Sequence, residues 1–300
     1  MRILASCVVM MTVALAVAGC AKKSMNDRMK AAIDSGDLQE VQKCLAEGFD
    51  VNANLGGAVL PLNHAVMREK QAIAAYLIEK GAMVNGGDDM GFTPLLTAAS
   101  TGNHGLVRLL VSKGADVKAK NKLGENALLL LADCRDKGCI EAAQLLINRG
   151  TQLEESSAQG GATPFIRAAA SGNLELASIL LNLQIDPSVR NAEGKNAMNI
   201  VRDVHGAAVQ AEFRKLLDMY LIEEILSDDA IGVKRALDAG ANPNAKTGIM
   251  TKWASDTNLS HIPGRDITVL QFAGERNLEE IATILRAAGA RDQDTGTSAQ

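Results

Sequence analysis

One sequence pattern recurs along most of this chain with a period of 33 residues. It is clearest in residues 91–116, where a Thr-Pro pair, a small-residue segment, a Gly-Asn pair and a leucine-rich segment follow one another and end at a glycine. The closing glycine and the start of the pattern recur at Gly48, Gly81 and Gly114, and at Pro61, Pro94 and Ala127. A fixed period of this length indicates an array of structural repeats.

The chemistry of one repeat predicts a pair of short helices. Thr93 can cap the free N–H groups of a first helix, Leu95–Ser100, and Pro94 suits its start because proline lacks an N–H. A second helix, Leu106–Val111, carries an apolar stripe, and Gly114 suits the left-handed stop after it. One pair cannot bury this stripe alone, so it must stack on neighbouring pairs.

The repeated residues resemble the ankyrin repeat. Gly-x-Thr-Pro-Leu at 91–95 is followed by Ala-Ala, Gly-Asn and Gly-Ala-Asp-Val, and several units agree in register between Met29 and Arg291. The resemblance implies an all-α solenoid of stacked helix-turn-helix units with short β-hairpin-like fingers. It also implies a surface that binds another protein. A composition with 47% apolar but only 3% aromatic residues fits stacked helices better than a large β sandwich.

The repeats divide the chain into eight units. Units one to six occupy residues 29–219, and units seven and eight occupy 220–291 with a long loop at 246–266. Residues 292–300 are polar and form a tail. Units one and seven share residues at a spacing of 192, and both lack the hairpin start. We therefore expect a seam near Met219–Leu221, where the stack bends or splits.

The first 20 residues predict a secretory leader, residues 1–19. Arg2 precedes an apolar run of 17 residues, which is short for a membrane span. The sequence Val-Ala-Gly-Cys at 17–20 resembles the bacterial lipobox, and this implies that Cys20 becomes the lipidated first residue, with diacylglycerol on sulfur and an amide-linked acyl chain. Several acyl chains anchor stably where one is marginal. The alternative is an ordinary leader with an incidental cysteine.

The residue after the lipobox bears on which membrane holds the chain. Ala21 is not aspartate, which favours the outer membrane with the chain facing the periplasm. We expect residues 20–28 to form a lipid-anchored tether before the first unit.

Three further cysteines fall inside the repeats. Cys134 and Cys139 lie in a connection lengthened by three residues, and in an exported protein this predicts a disulfide. The alternatives are two free thiols or half of a metal site, although no nearby His or Cys completes a zinc set. Cys44 is in register with Leu77 and Leu110, which predicts a buried apolar residue.

No catalytic motif stands out in the chain. The four histidines, His64, His104, His205 and His261, are scattered, and no P-loop, GxGxxG, GxSxG, HExxH or CxxC pattern occurs. We expect no catalytic residue, metal, cofactor or small-molecule substrate. A formal net charge of -4 without a basic face makes nucleic acid an unfavourable partner.

What remains is a protein-binding surface on the fingers. The candidate contacts are Asp89, Met90 and Phe92 in one finger, Lys120, Lys122 and Leu123 in the next, and Trp253 in the long loop. Tryptophan is favoured in interface hot spots, so Trp253 is the best single anchor. The alternatives are that the finger residues are merely solvated and that Trp253 packs on the last unit.

The sequence thus predicts a non-catalytic protein-protein interaction scaffold, lipid-anchored to the bacterial envelope. An immunity or inhibitor protein against a secreted effector enzyme is the alternative, and an enzyme of unrecognised type is a minor one.

Overall fold

The computed structural model describes residues 24–248 and 266–291, and this part of the chain forms fifteen α-helices. The helices are α1 (Met25–Ser35), α2 (Leu38–Ala46), α3 (Pro61–Met67), α4 (Gln71–Glu79), α5 (Pro94–Ser100), α6 (His104–Ser112), α7 (Ala127–Leu131), α8 (Lys137–Asn148), α9 (Pro164–Ser171), α10 (Leu174–Asn182), α11 (Ala197–Val204), α12 (Ala207–Leu226), α13 (Ala230–Ala239), α14 (Val269–Glu275) and α15 (Glu279–Ala287). They stack as pairs, which confirms the all-α repeat solenoid.

The first helix of most units begins at a capping side chain. Thr93 Oγ1 accepts a hydrogen bond from the Leu96 N–H at 3.3 Å, and Asn126 Oδ1 accepts one from Leu129 at 2.9 Å. The same cap recurs at Thr163, Asn196 and Thr268. These bonds satisfy donors that a helix start leaves free, which is why the repeated Thr or Asn marks each boundary.

The second helices end at a residue in the left-handed conformation. Gly81 and Gly114 have φ values of 90° and 85°. In unit five the sequence suggests that Leu183 replaces this glycine, but Leu183 is only the C-cap, and Gln184 takes the left-handed position with φ 60°. Helix α10 therefore ends at Asn182 without a glycine.

Apolar side chains between the pairs form two adjoining clusters. One runs from Met29 to Leu146, the other from Leu128 to Leu285, so unit four belongs to both. Cys44 lies fully buried in the first cluster with a free thiol, as its register indicates. Each helix pair thus obtains its core from the pair before and the pair after it.

The expected seam near residues 219–221 is not a break between helices. Helix α12 runs for 20 residues, Ala207–Leu226, straight across that position. Its first half is the second helix of unit six, and its second half is the first helix of unit seven. Leu217, Leu221 and Ile225 are fully buried on it, and no glycine or finger interrupts the run.

The predicted tether at 20–28 is shorter than expected. Helix α1 already begins at Met25, because Ser24 and Asp27 form a capping box in which each side chain accepts from the other's backbone N–H at 3.1 and 3.3 Å. The leader, Cys20, the loop residues 249–265 with Trp253, and the tail 292–300 lie outside the described residues. Within the part that is described, no helix has the length and hydropathy needed to cross a membrane.

Hydrogen bonds between turns join successive units. Asn85 Oδ1 accepts from the Asp116 N–H at 2.8 Å, and the equivalent bonds run from Met83 to Asn52 (2.8 Å) and from Arg291 to Asn244 (2.9 Å). At the junction of units six and seven, Asp218 Oδ1 takes this role and accepts from the Asn242 N–H at 2.6 Å. An acid therefore accepts this bond here, as Glu154 does from the Asp186 N–H at 3.1 Å, whereas the other bonds named above use an amide.

Helix α12 buries acidic side chains at this junction. Asp218 is 5% exposed, and burial raises its pKa to about 6. Glu224 is 2% exposed, burial raises its pKa as well, and its Oε1 has no hydrogen-bond partner among the described residues. Burying a carboxylate costs free energy, so burial shifts both carboxyl groups toward their neutral forms.

We predict that Asp218→Asn stabilises the protein at neutral and alkaline pH. Asparagine can accept the same bond without a charge to desolvate. Because the folded-state pKa lies above the unfolded one, the wild-type carboxyl favours folding when protonated and loses that contribution as pH rises through about 6. We expect a gain of about 2 kcal/mol in unfolding free energy at pH 8, falling to well under half of that by pH 4.

Urea denaturation across this pH range measures the effect. The control is Asp238→Asn at an exposed position on α13, which should change the unfolding free energy little at any pH. Equal destabilisation of Asp218→Asn at pH 4 and pH 8 would contradict the prediction.

Candidate functional site

Short fingers precede the first helices and form one edge of the stack. We number them by unit: finger 3 (88–92), finger 4 (121–125), finger 5 (157–162) and finger 6 (191–195). Each is closed by a backbone hydrogen bond, from Asp88 to Phe92 (3.2 Å), Asn121 to Glu125 (3.1 Å), Ser157 to Ala162 (3.0 Å) and Asn191 to Lys195 (2.9 Å).

Asp and Asn side chains hold three of these fingers rigid. Asp88 Oδ1 accepts from the N–H groups of Met90 and Phe92, both at 2.9 Å. Asn121 and Asn191 make the equivalent bonds in fingers 4 and 6. Short polar side chains commonly stabilise turns in this way. Asp88 is thus a turn residue, which leaves its neighbour Asp89 exposed at the tip.

Successive fingers are also bonded to one another. In each case one finger donates a backbone N–H to a carbonyl of the finger before it. The three bonds are Lys122 to Met90 (2.9 Å), Ala158 to Leu123 (2.7 Å) and Ala192 to Gly160 (3.0 Å). Backbone hydrogen bonds therefore join fingers 3 to 6 into one row.

The predicted contact residues of finger 3 differ in exposure. Asp89 is exposed, and Met90 is 48% exposed. Phe92 is half-buried against the core, and its carbonyl accepts from Asn63 Nδ2 at 2.9 Å. Phe92 accordingly packs the finger onto the stack, while Asp89 and Met90 are free to meet a partner.

Finger 4 and the residues just before it contribute the predicted basic contacts. Lys122 is exposed, Leu123 is half-buried, and Lys120 is exposed but forms an ion pair with Glu155. An exposed pair of this kind contributes little stability, so Lys120 can exchange its partner. Trp253 lies outside the described residues, and its role stays a prediction.

The first helices carry ion pairs that link neighbouring units. Arg167 donates to Glu125 at 2.9 Å and to Asp133 at 3.1 Å. Asp34 accepts from Arg68 Nε at 2.7 Å and lies 2.8 Å from His64 Nε2. The repeat motif by itself does not predict these pairs.

The spacing of charges offers a signal for such contacts. Asp133 and Arg167 are 34 residues apart, and Arg108 pairs with Glu141 across 33. Opposite charges one repeat apart are therefore candidates for neighbours. His64 is 3% exposed; burial lowers its pKa, which Asp34 opposes. His64 is therefore a hydrogen-bonding residue of helix α3.

Cys134 and Cys139 form a disulfide, with their Cα atoms 6.0 Å apart. The connection is not simply a longer loop, because residues 137–139 form the first turn of α8, which has 12 residues. Cys139 Sγ lies 3.2 Å from the Gly102 carbonyl, and the Cys134 carbonyl accepts from Asn173 Nδ2 at 2.8 Å. The disulfide therefore sits where units three, four and five meet.

We predict that replacing both cysteines, Cys134→Ser with Cys139→Ser, lowers the unfolding free energy by about 2 kcal/mol, as expected for closing so short a loop. Chemical denaturation without reductant measures the difference. Wild-type protein in reductant is the matched control, because Cys44 remains a free thiol in both samples. Equal stability of oxidised wild type and the double variant would contradict the prediction.

Across residues 24–248 and 266–291, no group of three His, Cys, Asp or Glu side chains is arranged to hold a metal ion. The candidate site in the described residues is the surface formed by the row of fingers and the first helices beside it.

Stacked helix pairs joined by fingers define a repeat solenoid, a class of protein that presents an extended surface. The chain matches the family model for ankyrin repeats (3 copies) over residues 29–121 and 114–191, which together exceed half of its length. It belongs to the ankyrin-repeat family, whose repeats are protein-protein interaction modules and are generally non-catalytic. No curated protein matches the sequence.

Proposed function

We propose that this protein is a non-catalytic scaffold, lipid-anchored to the bacterial envelope, that binds a partner protein in the periplasm through fingers 3 to 6. The observation that carries the proposal is the hydrogen-bonded row of fingers with exposed side chains at its tips. A surface held in one conformation before binding loses little entropy when a partner docks.

The exposed side chains indicate the chemistry of the partner. Finger 3 is acidic at Asp89, whereas Lys122 in finger 4 and Lys118 just before it are basic. A complementary partner therefore carries a basic group opposite finger 3 and acidic groups opposite finger 4. Met67 and Met90 are 46% and 48% exposed. Methionine adapts its shape, which suits contact with apolar side chains of the partner.

A photo-crosslinking residue in place of Met90 tests the surface. We expect one partner protein to crosslink in cell envelopes, and none from the same residue at Glu175, which is exposed on α10. With that partner purified, Met90→Asp combined with Lys122→Glu should weaken binding about tenfold or more without changing thermal unfolding, since interface charges and central apolar contacts control affinity.

The outcomes separate the candidate functions. A crosslinked enzyme whose activity falls on binding would favour the inhibitor or immunity function over a general scaffold. The absence of any specific partner crosslinked at position 90 would contradict protein binding through the fingers.

The lipid anchor is supported by the lipobox-like sequence at 17–20. Helix α1 begins at Met25, so the stack starts five positions after Cys20, with four residues between them. An extended chain of that length spans at most about 17 Å. A lipid on Cys20 would therefore hold unit one close to the membrane surface.

We predict that Cys20→Ala abolishes labelling by a radioactive fatty acid and moves the protein from the outer-membrane fraction to the soluble periplasm. Cys44→Ala is the matched control, because its thiol is buried in the core and should not affect labelling. Labelling that persists in Cys20→Ala would overturn the anchor.

A further inference from the structure

The fingers pack against one another through a repeated pair of residues. The second member is a glycine with a left-handed backbone, Gly91, Gly124 or Gly161 in fingers 3, 4 and 5, with φ values of 78°, 74° and 61°. The first member is the residue before it, whose carbonyl accepts the N–H of the next finger. Each finger thus offers its successor one acceptor and one residue without a side chain.

The next finger lies close against each of these glycines. A β-carbon placed on Gly91 would lie 3.3 Å from the backbone nitrogen of Lys122. On Gly124 it would lie 3.5 Å from that of Ala158, and on Gly161 it would lie 3.1 Å from that of Ala192. In all three fingers, the atoms nearest to this β-carbon position belong to the polypeptide backbone of the next unit.

Finger 6 carries the same pair, Glu193 and Gly194, without a successor. Unit seven has no finger, because α12 continues into it as one helix. Among the described residues, a β-carbon on Gly194 would meet no atom within 4 Å, and no backbone N–H donates to the Glu193 carbonyl. Ala192, Glu193 and Gly194 are all exposed.

The identity of Gly194 alone does not establish a site, since its φ of 74° favours glycine for conformational reasons. The informative observation is that, among the described residues, the Glu193 carbonyl has no backbone donor and the β-carbon position of Gly194 is empty. This acceptor and this bare backbone match those that bind a neighbouring finger three times in the same molecule.

We infer that the open edge of finger 6 binds an extended backbone segment of a partner protein, which donates one N–H to the Glu193 carbonyl and lies flat against Gly194. This inference rests on the proposed protein-binding function and adds a backbone-directed contact to it. Main-chain recognition of this kind gives affinity, while neighbouring side chains give selectivity. The donating residue of the partner cannot be proline, because proline has no N–H.

The variant that tests the site is Gly194→Asn. Asparagine tolerates the left-handed conformation, and its side chain would occupy the space that a partner backbone needs. The matched control is Gly114→Asn, at a left-handed glycine (φ 85°) in the turn after α6 where a β-carbon also meets nothing within 4 Å. Both variants should therefore lose similar stability, and only one should block the edge.

The measurement is the affinity of each purified variant for the partner crosslinked at position 90. We expect Gly194→Asn to weaken binding about tenfold and Gly114→Asn to leave it unchanged. A photo-crosslinking residue in place of Glu193 should capture the same partner, through a segment whose replacement by proline abolishes the crosslink.

Several results would overturn the inference. Unchanged affinity of Gly194→Asn would remove the finger 6 site and leave binding through fingers 3 and 4 intact. A crosslink from position 193 to a second copy of this chain, or within the same chain, would assign the edge to that occupant instead. Failure to crosslink any partner at position 90 or 193 would remove the proposed function together with this inference.

Discussion

Burial of apolar side chains between neighbouring helix pairs is the interaction on which the rest of this structure depends. No pair encloses its own core: Leu110 in α6 and Leu146 in α8 are fully buried because adjacent helices cover them. The caps, left-handed turns and inter-turn hydrogen bonds set the spacing between pairs. The residues that form these caps and turns therefore recur with the same period as the core residues. The two core clusters overlap in unit four, where the Cys134–Cys139 disulfide closes the connection between α7 and α8.

The same periodicity explains why the proposed binding surface lies on the edge formed by the fingers. The side chains that stabilise the stack already form hydrogen bonds within it. Asp88 accepts bonds in its own turn, Asn63 donates to finger 3, and Arg167 donates to Glu125 and Asp133. The finger tips are left with exposed side chains on a rigid backbone. A scaffold of this kind separates stability from recognition, because tip residues can change without disturbing the core.

Helix α12 is the main departure from the repeat, and several features follow from it. By running from the second layer of unit six into the first layer of unit seven, it removes one finger. It also brings Asp218 and Glu224 into buried positions, where burial raises the pKa of each carboxyl. In the part of the chain that the structure describes, the missing finger leaves the edge of finger 6 uncovered. One continuous helix thus accounts both for the buried acids and for the missing finger.

The sequence alone determined the period, the helix pairs and most of their ends, because caps, N-terminal prolines and left-handed glycines act within a few residues. Helix α5, for example, was expected at Leu95–Ser100 and spans Pro94–Ser100. Tertiary structure decided what depends on residues a full repeat apart: the pairing of His64 with Asp34, the continuity of α12 and the open edge beside Gly194. Apolar residues at 216–226 fit either a new unit or a longer helix, and only packing against α10, α13 and α14 selects between them.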